Sequence, residues 1–194
     1  MIQRANALCY CLKQEKRGFL YMRKHFFKFV AVVMAIIAVT SVTGCGMKPA
    51  TVPEENKVKI SEFDAKATGT QAICKTLKQK EYIKNDNCVK TDFKIIGASD
   101  GYRMDGVEVN GSKFSIEIYE FADTTSDPAK TITDSVKKNG SFSLFGKEVS
   151  NAYMSKNGKY LLIYADPRSV SEKDDDKENV ERKNEVLKVV NSAK

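Results

Sequence analysis

The chain has 194 residues, a formal net charge of +7 and one histidine. The first 44 residues hold seven of the 32 lysines and arginines but one of the 25 acidic residues, which leaves 25 basic and 24 acidic side chains beyond them. This near-neutral remainder argues against a nucleic-acid-binding surface, which needs a basic excess. Its length is that of one ordinary domain, which can bury a core without metal ions or many disulfides.

Residues 1–21 are expected to lie upstream of the true start of the protein. They contain Cys9, Cys11 and five charged side chains, and they show no apolar periodicity. Met22 stands directly before a basic and then apolar stretch. We therefore expect translation to start at Met22, in which case Cys9 and Cys11 are not part of the protein.

The stretch after Met22 has the parts of a secretory signal. A basic segment ends at Lys28, an apolar run covers residues 29–39, and small or polar residues follow up to Gly44. This apolar run is shorter than the roughly 20 residues that a membrane-spanning helix needs. A cleaved signal is therefore favoured, and an uncleaved membrane helix with an incidental Cys45 is the alternative.

The residues Val42-Thr43-Gly44-Cys45 resemble the lipobox of a bacterial lipoprotein. The resemblance covers the leader, and the rest of the chain carries no motif of a known family. It implies that residues 22–44 are removed as a signal peptide and that the Cys45 thiol carries a diacylglyceryl group. Because two acyl chains give stable anchoring, it also implies a protein held at the extracytoplasmic face of the cell membrane.

Residues 45–57 are predicted to be a flexible tether. They are mostly polar and contain Pro49 and Pro53, a composition that favours an extended chain over a helix or strand. Residues 58–194 are then expected to form a single folded domain.

Residues 70–83 are predicted to form a helix with Ile73, Cys74 and Leu77 on its inner face. Cys88 follows at the head of an extended stretch, and a helix packed beside that strand would bring Cys74 and Cys88 together. An exported protein permits a disulfide there, and its loop of about 15 residues would stabilise the fold by roughly 3 kcal/mol. The alternative is two small buried thiols.

Two Asn-Gly pairs, at residues 110–111 and 157–158, predict β-hairpins because this dipeptide suits the tight turn between paired strands. The hairpins are similar in sequence, which either an internal duplication or shared turn chemistry explains. Between them, Pro128 begins a predicted helix that residues 139–140 end. A break in the extended sequence that follows is expected near Gly146.

A final helix is predicted over about residues 178–192, where Val180, Val186, Leu187 and Val190 form an apolar arc. The expected order is therefore helix, hairpin, helix, hairpin, helix. Helices and antiparallel hairpins in this order predict an α+β fold of two layers, in which helices cover one antiparallel sheet of two hairpins.

Four aromatic residues are candidates for a binding surface: Tyr119, Phe121, Tyr160 and Tyr164. They lie on two predicted strands, which would form one tyrosine-rich surface if they were neighbours in the sheet. Tyrosine suits such surfaces because it has an apolar body and a polar tip. The favoured alternative is that the final helix covers this face and that the tyrosines border the core.

The sequence nominates no catalytic, cofactor or metal site. His25, the one histidine, lies in the leader, so the remainder offers no imidazole to activate a nucleophile or bind zinc. The acidic run at residues 174–176 could attract calcium, but a solvated, charged linker is the favoured interpretation. We therefore expect no enzymatic activity, no cofactor and no bound metal.

The expected function is that of a lipid-anchored, non-catalytic binding or accessory module at the cell envelope. Its expected partners are the membrane, through the lipid, and another envelope protein or polymer, but no nucleic acid. One alternative is a small solute receptor for a transporter, although such receptors generally need two lobes with a cleft between them. Another is an inhibitor-like module that presents a rigid loop over residues 99–106.

Overall fold

The structure is a computed structural model, and it describes residues 56–194. The predicted start at Met22, the signal peptide over residues 22–44, and the lipidation of Cys45 lie outside this part and stay predictions. Most of the predicted tether also lies outside it. Lys57, the last residue of that tether, already belongs to the first strand.

Three α-helices lie in the described part: α1 (Gly69–Gln79), α2 (Ala129–Asn139) and α3 (Lys177–Ser192). None of its helices is both long and apolar enough to cross a membrane. The strands in the same range are β1 (Lys57–Lys59), β2 (Asn87–Lys90), β3 (Asp100–Asp105), β4 (Ser115–Glu120), β5 (Phe142–Leu144), β6 (Lys147–Val149), β7 (Ala152–Met154) and β8 (Tyr160–Tyr164).

Six of the strands form one sheet in the order β1-β2-β3-β4-β8-β7, and every neighbouring pair is antiparallel. Strands β5 and β6 form a separate small hairpin. In the sheet, β4 and β8 lie side by side and carry buried residues at successive positions. Because successive side chains of a strand point to opposite faces, both faces of the sheet have to be covered.

Helices α1 and α3 cover one face of the sheet. Leu77 of α1 and Val186 and Val190 of α3 pack in one cluster with Ile116 and Ile118 of β4, and all five residues are fully buried. Each such side chain contributes about 1.5–3 kcal/mol through its removal from water. We call this region the α1–α3 side of the sheet.

Helix α2 covers the opposite face. Its residues Ile132 and Val136 pack in a second cluster with Leu161 of β8, whereas Tyr160 and Leu162, the neighbours of Leu161, belong to the α1–α3 side. Alternating residues of one strand therefore divide between the two clusters, which places α2 across the sheet from the other two helices.

The structure confirms an α+β fold with an antiparallel sheet, but its layers differ from the prediction. Helices lie on both faces, which gives three layers in place of the two expected. Strands β1 and β2 and the β5–β6 hairpin are also additions to the predicted order. The physical reason is that β8 is apolar on both faces and that the face of β4 opposite Ile116 and Ile118 carries the large Tyr119 ring. Helices on one side of the sheet would leave these side chains in water.

The predicted turns are present in the structure. Asn110 and Gly111 have positive φ angles of 49° and 76°, and Gly158, between β7 and β8, has a φ of 71°. Gly140 ends α2 in the left-handed conformation, and Gly146 connects β5 to β6 with a φ of 75°. Glycine and asparagine adopt this conformation at low cost, so the turn positions follow from local sequence.

Candidate functional site

The four aromatic residues predicted to form a binding surface are buried and do not share a face. Tyr160 and Tyr164 lie in the cluster under α1 and α3, while Tyr119 and Phe121 lie in the cluster under α2. Their strands are neighbours, but the register sets Tyr119 beside Leu161. The predicted tyrosine-rich surface is therefore wrong. The alternative, in which the final helix covers these residues, holds for Tyr160 and Tyr164 only, because α2 covers Tyr119 and Phe121.

Cys74 and Cys88 lie in the same core cluster as buried, free thiols. The Cys88 thiol donates a hydrogen bond to the Val58 carbonyl oxygen, 3.4 Å away. Burial, with the nearby carboxylates adding to it, raises the pKa of Cys88 to about 12. Burial and then the neighbouring Cys88 raise the pKa of Cys74 well above its ordinary value. The structure thus has two protonated thiols in place of the predicted disulfide, and such thiols are poor nucleophiles.

The acidic run Asp174–Asp176 forms a short 3-10 helix that helps to hold α3 in place. Arg168 forms an ion pair with Asp176 and donates hydrogen bonds to the carbonyl oxygens of Asn110 and Asp175. Within residues 56–194, no group of three or more histidine, cysteine or acidic side chains is arranged to hold a metal ion. These contacts make the run a structural connection between α3 and the turn at Asn110.

Residues 99–106, proposed as a protruding inhibitor-like loop, mostly belong to strand β3, which lies between β2 and β4. The prediction of a loop is therefore wrong. Within this strand, the glycine at position 101 allows a close contact. A Cβ atom at this position would lie 2.6 Å from the ring of Tyr119 and 2.6 Å from the hydroxyl oxygen of Thr91.

Strand β7 forms one edge of the six-stranded sheet. Just beyond the strand, the Ser155 N–H donates a hydrogen bond to the carbonyl oxygen of Tyr160 at 2.8 Å. The bonding direction alternates from residue to residue along an antiparallel strand. The backbone groups of Ala152 and Met154 therefore point away from the sheet.

Along this edge, the outward N–H groups of Ala152 and Lys156 are hydrogen-bonded, whereas the outward groups of Met154, which lies between them, are open. The Ala152 N–H donates to the carbonyl oxygen of Gly140 at 3.0 Å, and the Lys156 N–H donates to the Asn191 side chain at 2.8 Å. The N–H and carbonyl groups of Met154 have no hydrogen-bond partner among residues 56–194. The edge therefore presents one donor and at least one acceptor at fixed positions.

A groove of about 670 Å³ runs along this edge and is open to solvent. Its charged lining residues are Lys137, at the end of α2, and Lys156, just after β7, and both are exposed. Its other lining residues are uncharged: Val136, Gly140, Ala152, Tyr153, Met154, Ser155, Asn157 and Gly158. The volume is that of an ordinary ligand pocket, for which about 300–1,000 Å³ is typical. We call this site the β7 groove.

Comparison of the chain with protein-family models, with curated proteins and with solved structures gave no match. The function is therefore inferred from the residues of the chain itself.

The β7 groove could not be predicted from the sequence. Met154 and Lys137 are ordinary residues in their local sequence, and the one available signal was a short extended stretch before the turn at Gly158. An edge strand is defined by which strand lies next to it, and local patterns do not determine strand order. The groove therefore becomes visible only in the assembled sheet.

Proposed function

We propose that this protein is a bacterial lipoprotein, held by its lipid at the extracytoplasmic face of the membrane, whose folded domain is a non-catalytic binding or accessory module. The observation that carries the binding role is the β7 groove, with its open backbone groups and two lysines. The anchoring role rests on Val42-Thr43-Gly44-Cys45 and on the basic and apolar segments before it.

The proposed lipid anchor at Cys45 and the β7 groove lie in different parts of the chain and would have separate roles, attachment and binding. A diacylglyceryl group on Cys45 would supply two acyl chains, enough for stable attachment. The polar, proline-containing residues 46–55 would separate the folded domain from the bilayer surface. A domain on such a tether can present an exposed groove to other envelope components.

Binding fits the chemistry of the described residues better than catalysis does. Burial keeps both thiols protonated, which disfavours nucleophilic chemistry. The buried carboxylate of Asp166 accepts three hydrogen bonds from within the fold, as a structural group does. In contrast, the groups at the β7 groove are accessible and can bind a partner without any reaction.

The anchoring role can be tested by mass spectrometry of the protein purified from bacterial membranes. The expected mature N-terminus is Cys45 with a diacylglyceryl group, and a Cys45→Ala variant is expected to lose this modification and leave the membrane fraction. A precursor that retains residues 22–44 in the membrane, without added lipid, would contradict the proposal.

The binding role can be tested by crosslinking in native membranes, followed by affinity capture and mass spectrometry. We expect one envelope component to be enriched with the wild-type protein and to be lost when Lys137 and Lys156 are both changed to glutamate. A matched control is the same charge reversal at Lys66 and Lys84, which are exposed and lie outside the groove. Equal enrichment with both double variants would show that the groove is not the binding site.

A further inference from the structure

We propose that strand β7 accepts an extended, acidic segment of a partner protein as an added strand of the sheet. This inference rests on the proposed binding function and names the partner's chemistry at the same groove. It follows from three observations: the open backbone of Met154, the shape of the groove and the positive charge around it.

The backbone of β7 offers the hydrogen bonds that an added strand requires. The outward N–H and carbonyl groups of Met154 have no partner among residues 56–194, and they are spaced as in any sheet edge. The outward N–H groups on either side, those of Ala152 and Lys156, already donate to the Gly140 carbonyl oxygen and to the Asn191 side chain. A partner segment would therefore pair over a short length, with Met154 at its centre.

The groove gives room for the side chains of the added segment. In an extended peptide, alternate side chains point to the same side. On the α2 side of the sheet, these side chains would meet the wall formed by Val136, Ala152 and Met154, with Lys137 at its rim. Backbone hydrogen bonds would then provide affinity, and alternate side chains would provide selectivity.

The charge of the groove selects an acidic partner. Lys137 and Lys156 are its charged lining residues, and glutamate or aspartate side chains at the rim would be attracted to them. A second copy of this chain is a poor occupant, because two paired β7 edges would place Lys137 and Lys156 of both copies along one groove whose lining has no acidic residue. Electrostatic complementarity of this kind governs partner choice and association rate.

The first test is selection from a random decapeptide display library against the full, lipidated chain in detergent. We expect the enriched peptides to carry aspartate or glutamate and residues that favour strands, with no proline in the bound stretch. Enrichment of basic peptides, or no enrichment above a detergent-only control, would overturn the proposal.

The second test changes the peptide and leaves the protein unaltered. The tightest acidic peptide is synthesised in two forms, one with N-methyl groups on its odd residues and the other on its even residues. An added strand donates hydrogen bonds from alternate residues, so we expect one form to bind about tenfold more weakly and the other to retain its affinity. Equal affinity of both forms would exclude strand addition.

The third test changes the protein at the open edge and at the two lysines. Met154→Pro removes the outward N–H, and Met154→Ala is its matched control because it keeps that donor. We expect the proline variant to bind the peptide at least about tenfold more weakly than the alanine variant. The double change of Lys137 and Lys156 to glutamate should weaken binding similarly, in contrast to the same change at Lys66 and Lys84.

The failure of this inference and that of the proposed function are distinguishable by capture from native membranes with Met154→Pro and Met154→Ala. A partner captured equally by both variants would preserve the binding module and overturn strand addition. Capture of no partner by the wild-type chain would instead overturn the binding function. Self-association in analytical ultracentrifugation that Met154→Pro abolishes would assign the edge to a second copy and overturn the acidic partner.

Discussion

The α1–α3 side of the sheet and the β7 edge differ in whether their polar groups are hydrogen-bonded within the fold. At the end of β8, the fully buried Asp166 accepts hydrogen bonds from the Ser112 hydroxyl, the Arg168 N–H and the Asn179 amide, at 2.8, 3.0 and 2.9 Å. At the β7 edge, the outward backbone groups of Met154 have no partner within residues 56–194. Polar groups bonded within the fold stabilise it, whereas accessible groups held in fixed positions remain available to a partner.

The largest effect on stability is expected when the buried hydrogen-bond network around Asp166 loses its central acceptor, the Asp166 carboxylate. Asp166→Ala would leave the Ser112 hydroxyl, the Arg168 N–H and the Asn179 amide without their acceptor. We expect the free energy of unfolding to fall by about 3 kcal/mol. An unsatisfied buried donor costs about 1–3 kcal/mol; the Asn179 donor is buried, whereas the Ser112 and Arg168 donors are partly exposed and cost less. Urea unfolding of the two proteins measures the difference.

Asp166→Asn is the matched control for this change. Its amide keeps one oxygen acceptor and the same size, so a loss of about 2 kcal/mol is expected. A loss below about 1 kcal/mol in the alanine variant would show that water replaces the carboxylate. The Asp166 network would then not differ from the β7 edge in depending on hydrogen bonds made within the fold.

The second prediction concerns the buried thiols and high pH. Because burial raises the pKa of Cys88 from about 9 to about 12, the folded protein keeps a proton that the unfolded chain releases. The contribution of this thiol to stability is fully present below pH 9 and is lost as the pH rises toward 12. We expect the free energy of unfolding to fall by about 1.4 kcal/mol per pH unit within this range.

The measurement is urea unfolding at pH 8 and pH 10, with Cys88→Ala as the control because it lacks the thiol and its proton. The wild-type protein should lose more stability between these pH values than the variant does. Equal losses would mean that Cys88 does not titrate, as in a disulfide with Cys74, and would contradict two free thiols.

The third prediction concerns a buried polar group on the α1–α3 side that is not hydrogen-bonded, the Tyr164 hydroxyl. The Tyr164 hydroxyl is buried and has no hydrogen-bond partner among residues 56–194, while its ring packs 4.8 Å from that of Phe114. Tyr164→Phe keeps this ring contact and removes the unsatisfied group, so we expect it to stabilise the fold by about 1 kcal/mol.

Tyr160→Phe is the matched change, because the Tyr160 hydroxyl does have a partner. It donates a hydrogen bond to the Lys194 carbonyl oxygen at 2.8 Å. We expect this variant to lose about 1 kcal/mol. Thermal unfolding of the two variants should therefore give midpoints shifted in opposite directions, and shifts of the same sign would refute the distinction between a paired and an unpaired hydroxyl.

The turns and the end of α2 could be predicted from a few neighbouring residues. The turns at Gly111 and Gly158 and the end of α2 at Gly140 follow from residues that adopt a positive φ. The alternation along β4 is also a local feature, since Ile116 and Ile118 lie on one face and Tyr119 on the other. These features depend on a few neighbouring residues, so no knowledge of the assembled fold is needed.

Relations between strands could not be predicted in the same way. Tyr119 pairs with Leu161, and a register shifted by one residue would have set it beside Tyr160, on the same face. Such a shift changes no local pattern, so the sequence does not show which aromatics share a surface. For the same reason the edge position of Met154, and with it the candidate site, required the full strand order.

The smallest effect on stability is expected at the open edge itself. Met154→Pro removes an N–H that bonds to nothing within residues 56–194, and proline is tolerated on the outward side of an edge strand. Because the half-buried Met154 side chain packs against the cluster under α2, its loss costs stability in any variant. Relative to Met154→Ala, which loses the same contacts, we therefore expect Met154→Pro to change the free energy of unfolding by no more than about 0.5 kcal/mol. Tyr153→Pro is the sharpest comparison, one residue away in the same strand.

Tyr153 pairs with Leu162 of β8, and the alternation along β7 directs its N–H inward. A proline there would remove a bond of the sheet and leave the β8 carbonyl group unsatisfied, at a cost of about 2 kcal/mol. Urea unfolding of the two variants thus measures the difference between an inward and an outward backbone group. If Met154→Pro, relative to Met154→Ala, destabilised the protein as much as Tyr153→Pro does relative to Tyr153→Ala, the outward N–H would have a structural partner, and the β7 edge would not be open to an added strand.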